Sequence, residues 1–351
     1  MSSTEQRMRS KPAGGGANGK APKLPTVTVI IPTYNRAGPV ADALRSVIAQ
    51  DYPKDRLDVI VVDNSSSDNT EEVVSRVAEA ARFPVRFYRK ENRGPAASRN
   101  YGLQRSDADI VAFTDSDCTV PSDWVRRGVS SLAEGVGLVA GPVHPIVNPE
   151  RIPSFFVHQI DHMREDYIYV TANVFYRRDV VVEFGGFDEQ FGAYPWGTPV
   201  GGEDTDLAWR VKRAGHKAVF DPGLVVSHEA TGMPLFSWLI DPIRVQVMPL
   251  LVKKFPDLRE KLPARYFLHW RNPLFYAAVA GVAVAAVKRD PRPLAASALW
   301  AWSMKSMVAR DLPRPARWWR IPVKYALHVE RSLLQTAVLA YASVRHRSLV
   351  L

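Results

Sequence analysis

The chain has 351 residues, 46% hydrophobic and 23% charged, enough for one large α/β domain with an appendage or for two ordinary domains. Its single cysteine, Cys118, excludes an intramolecular disulfide framework. The formal charge of +10 is unevenly spread: residues 1–241 hold 27 Lys+Arg against 31 Asp+Glu, and residues 242–351 hold 19 against 5. Basic charge beside apolar, Trp-rich sequence suits anionic lipid headgroups, whereas no nucleic-acid recognition motif is visible.

Residues 1–25 are polar, with Gly14-Gly15-Gly16 and no apolar h-region, and read as a disordered leader without a secretory signal. Order begins at Thr26. Val27, Val29, Ile30 and Ile31 predict a strand buried on both faces and stopped by Pro32. Apolar residues at Val40, Ala43, Leu44, Val47 and Ile48 then follow helical spacing, and residues 58–63 (DVIVVD) make a second buried strand. Strand, helix, strand is the parallel crossover unit.

The unit repeats. A helix capped by Asp68 runs to Ala80, residues 85–88 read as a strand, 95–104 as a helix and 110–114 as a strand. Further strands are expected at residues 168–176, 218–220 and 224–227, with a helix between the last Gly-rich loop and Gly215. The pattern predicts an α/β fold, Rossmann-like, with a mostly parallel sheet flanked by helices. Ligands of such sheets bind at the carboxyl ends of the strands, which places the segments after Ile31, Val62 and Thr114 on one edge.

Asp115-Ser116-Asp117 leaves an apolar strand at that edge, and strand spacing would set its carboxylates about 7 Å apart. Hard oxygen ligands of this kind suit Mg²⁺ or Mn²⁺ on a diphosphate. Alone the triplet says little, since Asp-x-Asp is common in turns and caps.

Taken together, residues 27–36 (VTVIIPTYNR), 59–70 (VIVVDNSSSDNT), 92–102 (NRGPAASRNYG), 185–188 (GGFD), 201–210 (GGEDTDLAWR) and 226–229 (VSHE) resemble the ordered motifs of family 2 glycosyltransferases. The resemblance covers about 200 residues and implies the GT-A fold and a nucleotide-sugar donor, with UDP as the family's habit. It places Pro32, Thr33 and Asn35 on the nucleotide, Asp63 on the base, and Arg99, Asp115 and Ser116 near the donor. Asp115 and Asp117 would hold Mn²⁺ or Mg²⁺, with His228 as a third ligand. Asp204 would be the general base of an inverting transfer; an N-cap at a helix start is the competing reading of that residue. Glu203 is the rival base or an acceptor contact, and Trp196 could stack on an acceptor ring or plug a loop. Arg99 and His228 also have plain readings, as a helix-surface arginine and a structural histidine.

Residues 26–241 are thus expected to form the catalytic domain and residues 242–351 a basic helical region. Apolar runs at 274–287 and 294–304 fall short of a spanning helix, so interfacial or re-entrant helices are expected, with Trp300, Trp302, Trp318 and Trp319 at headgroup depth. A soluble helical subdomain is the alternative. Contact with an anionic membrane surface on the cytoplasmic face would suit a glycan or lipid-linked acceptor and cell-envelope polysaccharide synthesis. The rival functions are a nucleotidyltransferase making nucleotide sugars, which lacks its Gly-rich basic loop here, and a catalytically silent membrane scaffold. Nothing in the sequence speaks to oligomeric state.

Overall fold

The computed structural model describes residues 23–147, 157–158, 160–163, 168–192, 201–310 and 320–351. Strands β1 (Val27–Thr33), β2 (Leu57–Asp63), β3 (Val85–Arg89) and β4 (Ile110–Phe113) run parallel and side by side, with β1 between β2 and β4. The short β5 (Cys118–Thr119), β6 (Val136–Ala140), β7 (Val143–Ile146) and β8 (Val157–His158) follow, then β9 (Val174–Arg177), β10 (Lys217–Phe220), β11 (Val226–Glu229) and β12 (Thr231–Gly232). The main sheet has the order β10-β6-β9-β4-β1-β2-β3 and is mixed, because β9 lies antiparallel to both β4 and β6. A small sheet, β5-β11-β7, stands beside it, and β12 pairs with β8.

Alternation along the strands supplies two cores. Ile30, Ile60, Val62, Val111 and Phe113 face one side, and Val29, Ile31, Val59, Val61 and Ala112 the other. Helices α1 (Ala37–Ile48), α2 (Thr70–Ala78) and α4 (Trp124–Ser131) cover the second face, and α3 (Gly94–Leu103), α5 (Arg178–Glu183) and α6 (Glu203–Arg213) the first. The parallel sheet is therefore buried on both sides, as its unbroken apolar runs require.

Two expected elements change. Pro32 does not end β1, which continues to Thr33; pairing with β4 stops at Ile30, so the N–H that proline lacks has no strand to meet on that side. The strand expected over 168–176 shrinks to β9, preceded by a 3₁₀ turn at Thr171–Asn173. Asn173 causes this: its buried amide donates to Pro142 O and Leu224 O and accepts from Trp124 Nε1 at 2.9 Å, pinning three segments together.

The core continues past residue 241. After α7 (Leu235–Ile240) and a 3₁₀ segment, α8 (Met248–Lys254) puts Met248, Leu251 and Val252 into the first-face core, joined by Leu339 and Val350. Among the described residues one helical stretch, Leu235–Lys254, is long and apolar enough to cross a membrane, and Trp238, Met248, Leu251 and Val252 within it are buried by protein. Helices α9 (Arg271–Lys288) and α10 (Ala295–Arg310) form an antiparallel hairpin, and α11 (Arg320–His346) returns along the domain. Trp300, expected at a lipid surface, instead packs inside the hairpin with its ring 5.4 Å from Phe275, because a small cluster with Met304 and Val308 needs a large side chain there. Trp302 on the same helix is 64% exposed. Trp196, Trp318 and Trp319 lie outside the described residues.

Candidate active site

The carboxyl edge of the sheet is built first from β1 and β2. Asn35, just past β1, adopts a left-handed backbone (φ 50°) and its side-chain oxygen accepts from Ser67 N at 2.7 Å, while its own N–H donates to Ser66 Oγ at 2.8 Å. Asp63 ends β2 fully buried, and both its oxygens accept from Ser66 N at 3.1 Å. Asp68 accepts from Thr70 N and from Ala37 N, tying the first turn of α2 to the start of α1. The two loops are thus knitted by short polar side chains, and Thr33 Oγ1 is left buried with no partner among the described residues.

The triplet 115–117 sits in a turn rather than on a strand: β4 ends at Phe113, and Cys118 N donates to Asp115 O at 3.1 Å. Asp and Ser are turn formers, and the turn separates the roles of the two carboxylates. Asp115 faces Arg99, which donates to its Oδ1 at 2.8 Å and to Glu203 Oε1 at 3.1 Å. Arg99 is buried, with its guanidinium over the Phe187 ring. Burial opposes its charge, but Asp115 and then Glu203 outweigh burial and raise its pKa. Arg99 is therefore no helix-surface arginine, and Glu203, expected as an acceptor contact, is a buried partner of that guanidinium.

Asp117 faces the other way. Strand β11 lies antiparallel to β5 with His228 opposite Cys118, and Glu229 N donates to Asp117 O at 2.8 Å. That pairing brings His228 Nε2 to 3.2 Å from Asp117 Oδ1, both residues being buried. His228 stands inside the strand rather than after it. Ligand atoms about 2.1 Å from an octahedral ion stand about 3 Å apart at adjacent vertices, so this pair is spaced to share one divalent cation. His228 Nδ1, the ring nitrogen turned away from Asp117, has no partner among the described residues. Cys118 Sγ lies in the same cluster, but burial, then Asp115 and Asp117, hold its thiol well above the usual range, so it is a poor ligand. Arg36 donates to Asp117 Oδ2, so a cation bound to that carboxylate would compete with a guanidinium.

Asp204 comes from a third direction. The turn Gly201-Gly202 has positive φ at both residues, and Gly202 (φ 102°), not Asp204, is the N-cap of α6. A Cβ on Gly202 would stand 2.9 Å from Val247, so glycine is required twice over there. Asp204 is the second residue of the helix and accepts from Thr205 N at 2.7 Å. Burial, then the charge of Glu203, push its carboxyl up to about 7, against the pull of the Thr205 N–H and Arg99. The helix terminus alone would lower it; burial beside a second carboxylate wins. Such tuning suits a base working near neutral pH.

The sequence model of glycosyl transferase family 2 matches residues 28–185. Glycosyltransferase AglE of Haloferax volcanii is 34% identical over 215 residues, 59% of this chain and 68% of AglE. The chain belongs to glycosyl transferase family 2. The probable glycosyltransferase YdaM of Bacillus subtilis is 28% identical over 220 residues, a match spanning 58% of this chain and half of YdaM. Among solved structures, the mannosyltransferase PcManGT of Pyrobaculum calidifontis, in complex with GDP-Man and Mn²⁺, superposes with a TM-score of 0.53 at 24% identity, covering 93% of this chain and 88% of that one. The likeness establishes the fold, GT-A, with its extra helices beyond the central sheet.

Family 2 membership makes the chain a glycosyltransferase and leaves its residue roles to the geometry. Asp115, Asp117, Arg99, Glu203, Asp204 and His228 belong to one connected edge. Asn35 and Asp63 hold the neighbouring loops, so a base reaching Asp63 must use the lone pairs that Ser66 leaves. Three residues were missed by sequence reasoning. Arg36 lies in the first motif and was read only as part of it, although a cation beside a dicarboxylate site was a usable signal. Asn100 receives the Phe187 N–H and donates to Phe187 O, both at 2.8 Å, fixing the Gly185-Gly186 loop against α3. Asp206 is fully buried between Arg210 and Lys254 and fastens α6 to α8, a link between distant segments that carries no local signature.

Proposed function

We propose that this glycosyltransferase moves a sugar from a nucleotide-sugar donor, with UDP-sugars as the first candidates, to an acceptor hydroxyl with inversion at the anomeric carbon. The observation that carries the reading is the placement of Asp204, a carboxyl pushed up to about 7, on the same Arg99-organised edge as the Asp117–His228 pair. Asp117 and His228 would hold Mn²⁺ or Mg²⁺, with Asp115 on the ribose or in reach of the ion. The bound cation would supply positive charge against the departing diphosphate.

The chain's own residues do the rest. Arg36, which donates to Asp117, would offer its guanidinium to the diphosphate oxygens when a cation is bound there. Arg99 holds Asp115 and Glu203 in fixed positions, so neither must reorganise as charge develops. Asp204 takes the proton of the acceptor hydroxyl while that oxygen forms its bond to the anomeric carbon; the bond from that carbon to the diphosphate breaks, and its electron pair leaves with the diphosphate. Thr33 Oγ1, buried and without a partner among the described residues, would offer a donor to the nucleotide.

Family membership supports sugar transfer over nucleotidyl transfer. The basic C-terminal third, with the exposed Val282, Val287 and Trp302 on its helical hairpin, supports work at an anionic membrane surface on an envelope glycan or lipid-linked acceptor. The test is nucleoside diphosphate release from a panel of UDP- and GDP-sugars with and without Mn²⁺. Wild type is expected to release diphosphate only with the cation, and Asp117→Asn to lose both release and Mn²⁺ binding. No release from any donor would favour the scaffold alternative.

A further inference from the structure

Asp206 is a buried carboxylate that the transfer step leaves unused. It lies two residues beyond Asp204 on α6, its side chain is wholly out of solvent, and its N–H donates to Gly202 O at 2.8 Å, closing the first turn of the helix. Burying a carboxylate is costly, and an apolar side chain of similar volume often serves stability as well. The cost is offset here by two cations that arrive from different directions. Arg210 Nε, one turn along the same helix, donates to Asp206 Oδ2 at 2.8 Å, and Lys254 Nζ forms an ion pair with Oδ1.

Both cations reach other segments as well. Arg210 donates to Phe184 O and, at 2.7 Å, to Gly186 O, in the loop whose Phe187 ring lies under the Arg99 guanidinium. Lys254 is the last residue of α8, in the basic part of the chain, and its Nζ also stands 3.8 Å from Asp188 Oδ2 in that same loop. The carboxylates of Asp188 and Asp206 and the cations of Arg210 and Lys254 therefore form a charge-balanced cluster that joins α6, the loop after α5, and α8. The start of α6 has no such definition of its own. Gly201 and Gly202 precede Glu203, both with positive φ, and glycine backbone has more conformations open to it than any other. With 3.6 residues per turn, Asp204 and Asp206 stand about 200° apart around the helix, so bonds that hold one side set the direction in which the other points.

We infer that Lys254, acting through Asp206, is a positioning residue for the Asp204 base: their ion pair fixes the rotation of the first turn of α6, and a residue from beyond position 241 thereby serves the transfer without touching substrate. The inference rests on the base assignment above and adds the residue that holds the base in place. Leu207, Ala208, Trp209 and Val211 bury α6 on several sides at once, so apolar packing keeps the helix in the core without marking one rotation. A buried ion pair selects a single arrangement among those that such packing tolerates.

The test is a double-mutant cycle on the full-length chain, read as nucleoside diphosphate release with Mn²⁺ from whichever of UDP-glucose, UDP-N-acetylglucosamine and GDP-mannose turns over fastest. Lys254→Met keeps a side chain of similar length, removes the charge, and leaves Asp206 its bond from Arg210. It is expected to lower kcat by roughly tenfold or more at unchanged donor KM, yet by less than about twofold in the Asp204→Asn background, where no base remains to be misplaced. Lys254→Arg, which keeps the cation, should stay within about threefold of wild type. The same fold loss in both backgrounds would mark a merely structural ion pair and overturn the inference, as would a Lys254→Met enzyme within about threefold of wild type or a Lys254→Arg enzyme as slow as Lys254→Met. The single variants separate the two readings: wild-type turnover in Asp204→Asn removes the base assignment, whereas loss in Asp204→Asn without loss in Lys254→Met removes the role of Lys254 alone.

Discussion

Replacing Asp204 by asparagine perturbs both the chemistry and the stability of the edge, with opposite signs. In the folded protein burial and Glu203 push this carboxyl from its ordinary 3.8 up to about 7. Because the folded value lies above the unfolded one, the associated stability is fully present below about pH 4 and is lost as pH rises through about 7. A displacement of this size corresponds to about 4 kcal/mol between the protonation states, and partial exposure of the side chain trims it to roughly 2–3 kcal/mol. Asp204→Asn removes the ionisation, so in chelator the variant should gain roughly that amount over wild type at pH 8.5 and little at pH 4.5. Urea unfolding at both pH values measures the gap. In the transfer assay the same variant should lose 10²–10⁴-fold in turnover, the order general-base catalysis supplies, while wild-type kcat/KM rises with pH through the region near 7. A stability gap that is the same at both pH values, or turnover within about threefold of wild type, would refute the assignment.

Arg36→Ala should tighten Mn²⁺ binding in the absence of donor by roughly fivefold, about 1 kcal/mol, because the cation no longer displaces a guanidinium from Asp117; calorimetric titration showing weaker binding would count against that competition. Arg99→Met should cost about 3–5 kcal/mol in urea unfolding, since Asp115 and Glu203 keep their burial and lose their shared partner. An unchanged midpoint would mean that the guanidinium does not stabilise them. Gly186→Ala should cost roughly 1–3 kcal/mol: Gly186 has φ 72°, and a Cβ there would stand 2.5 Å from Asn100 Oδ1. Loss of protection at the Phe187 amide in hydrogen exchange would locate the damage.

Strand and helix positions were largely legible because each face of the sheet imposes a period on its own segment. Val29 and Ile31 against Ile30, or Val40, Leu44 and Val47 along α1, declare their environment within a few residues. The errors fell where a side chain bonds something remote. Asn173 ends a strand pattern early by pinning Pro142 and Leu224, Pro32 is tolerated because β4 stops short, and Trp300 turns inward because Phe275 on the preceding helix completes its pocket. The motif segments gather at one edge of the sheet, where Glu203 is a partner for Arg99 and the N-cap of α6 is Gly202.

By itself the sequence determined the layered α/β fold and the set of acidic segments that its strand ends would gather, because local periodicity and turn chemistry depend on neighbours a few residues away. It also fixed the charge contrast between the two parts of the chain. Tertiary structure decided how the gathered carboxylates divide their work: Asp115 to Arg99, Asp117 to His228 and Arg36, Asp204 to a half-buried position beside Glu203. It also decided that the helices beyond residue 241 complete the first-face core and close a cavity against the segment Asp241–Val247. Charge interactions depend on distance and burial, and both are set by contacts between segments more than a hundred residues apart, as with Arg99 and Glu203.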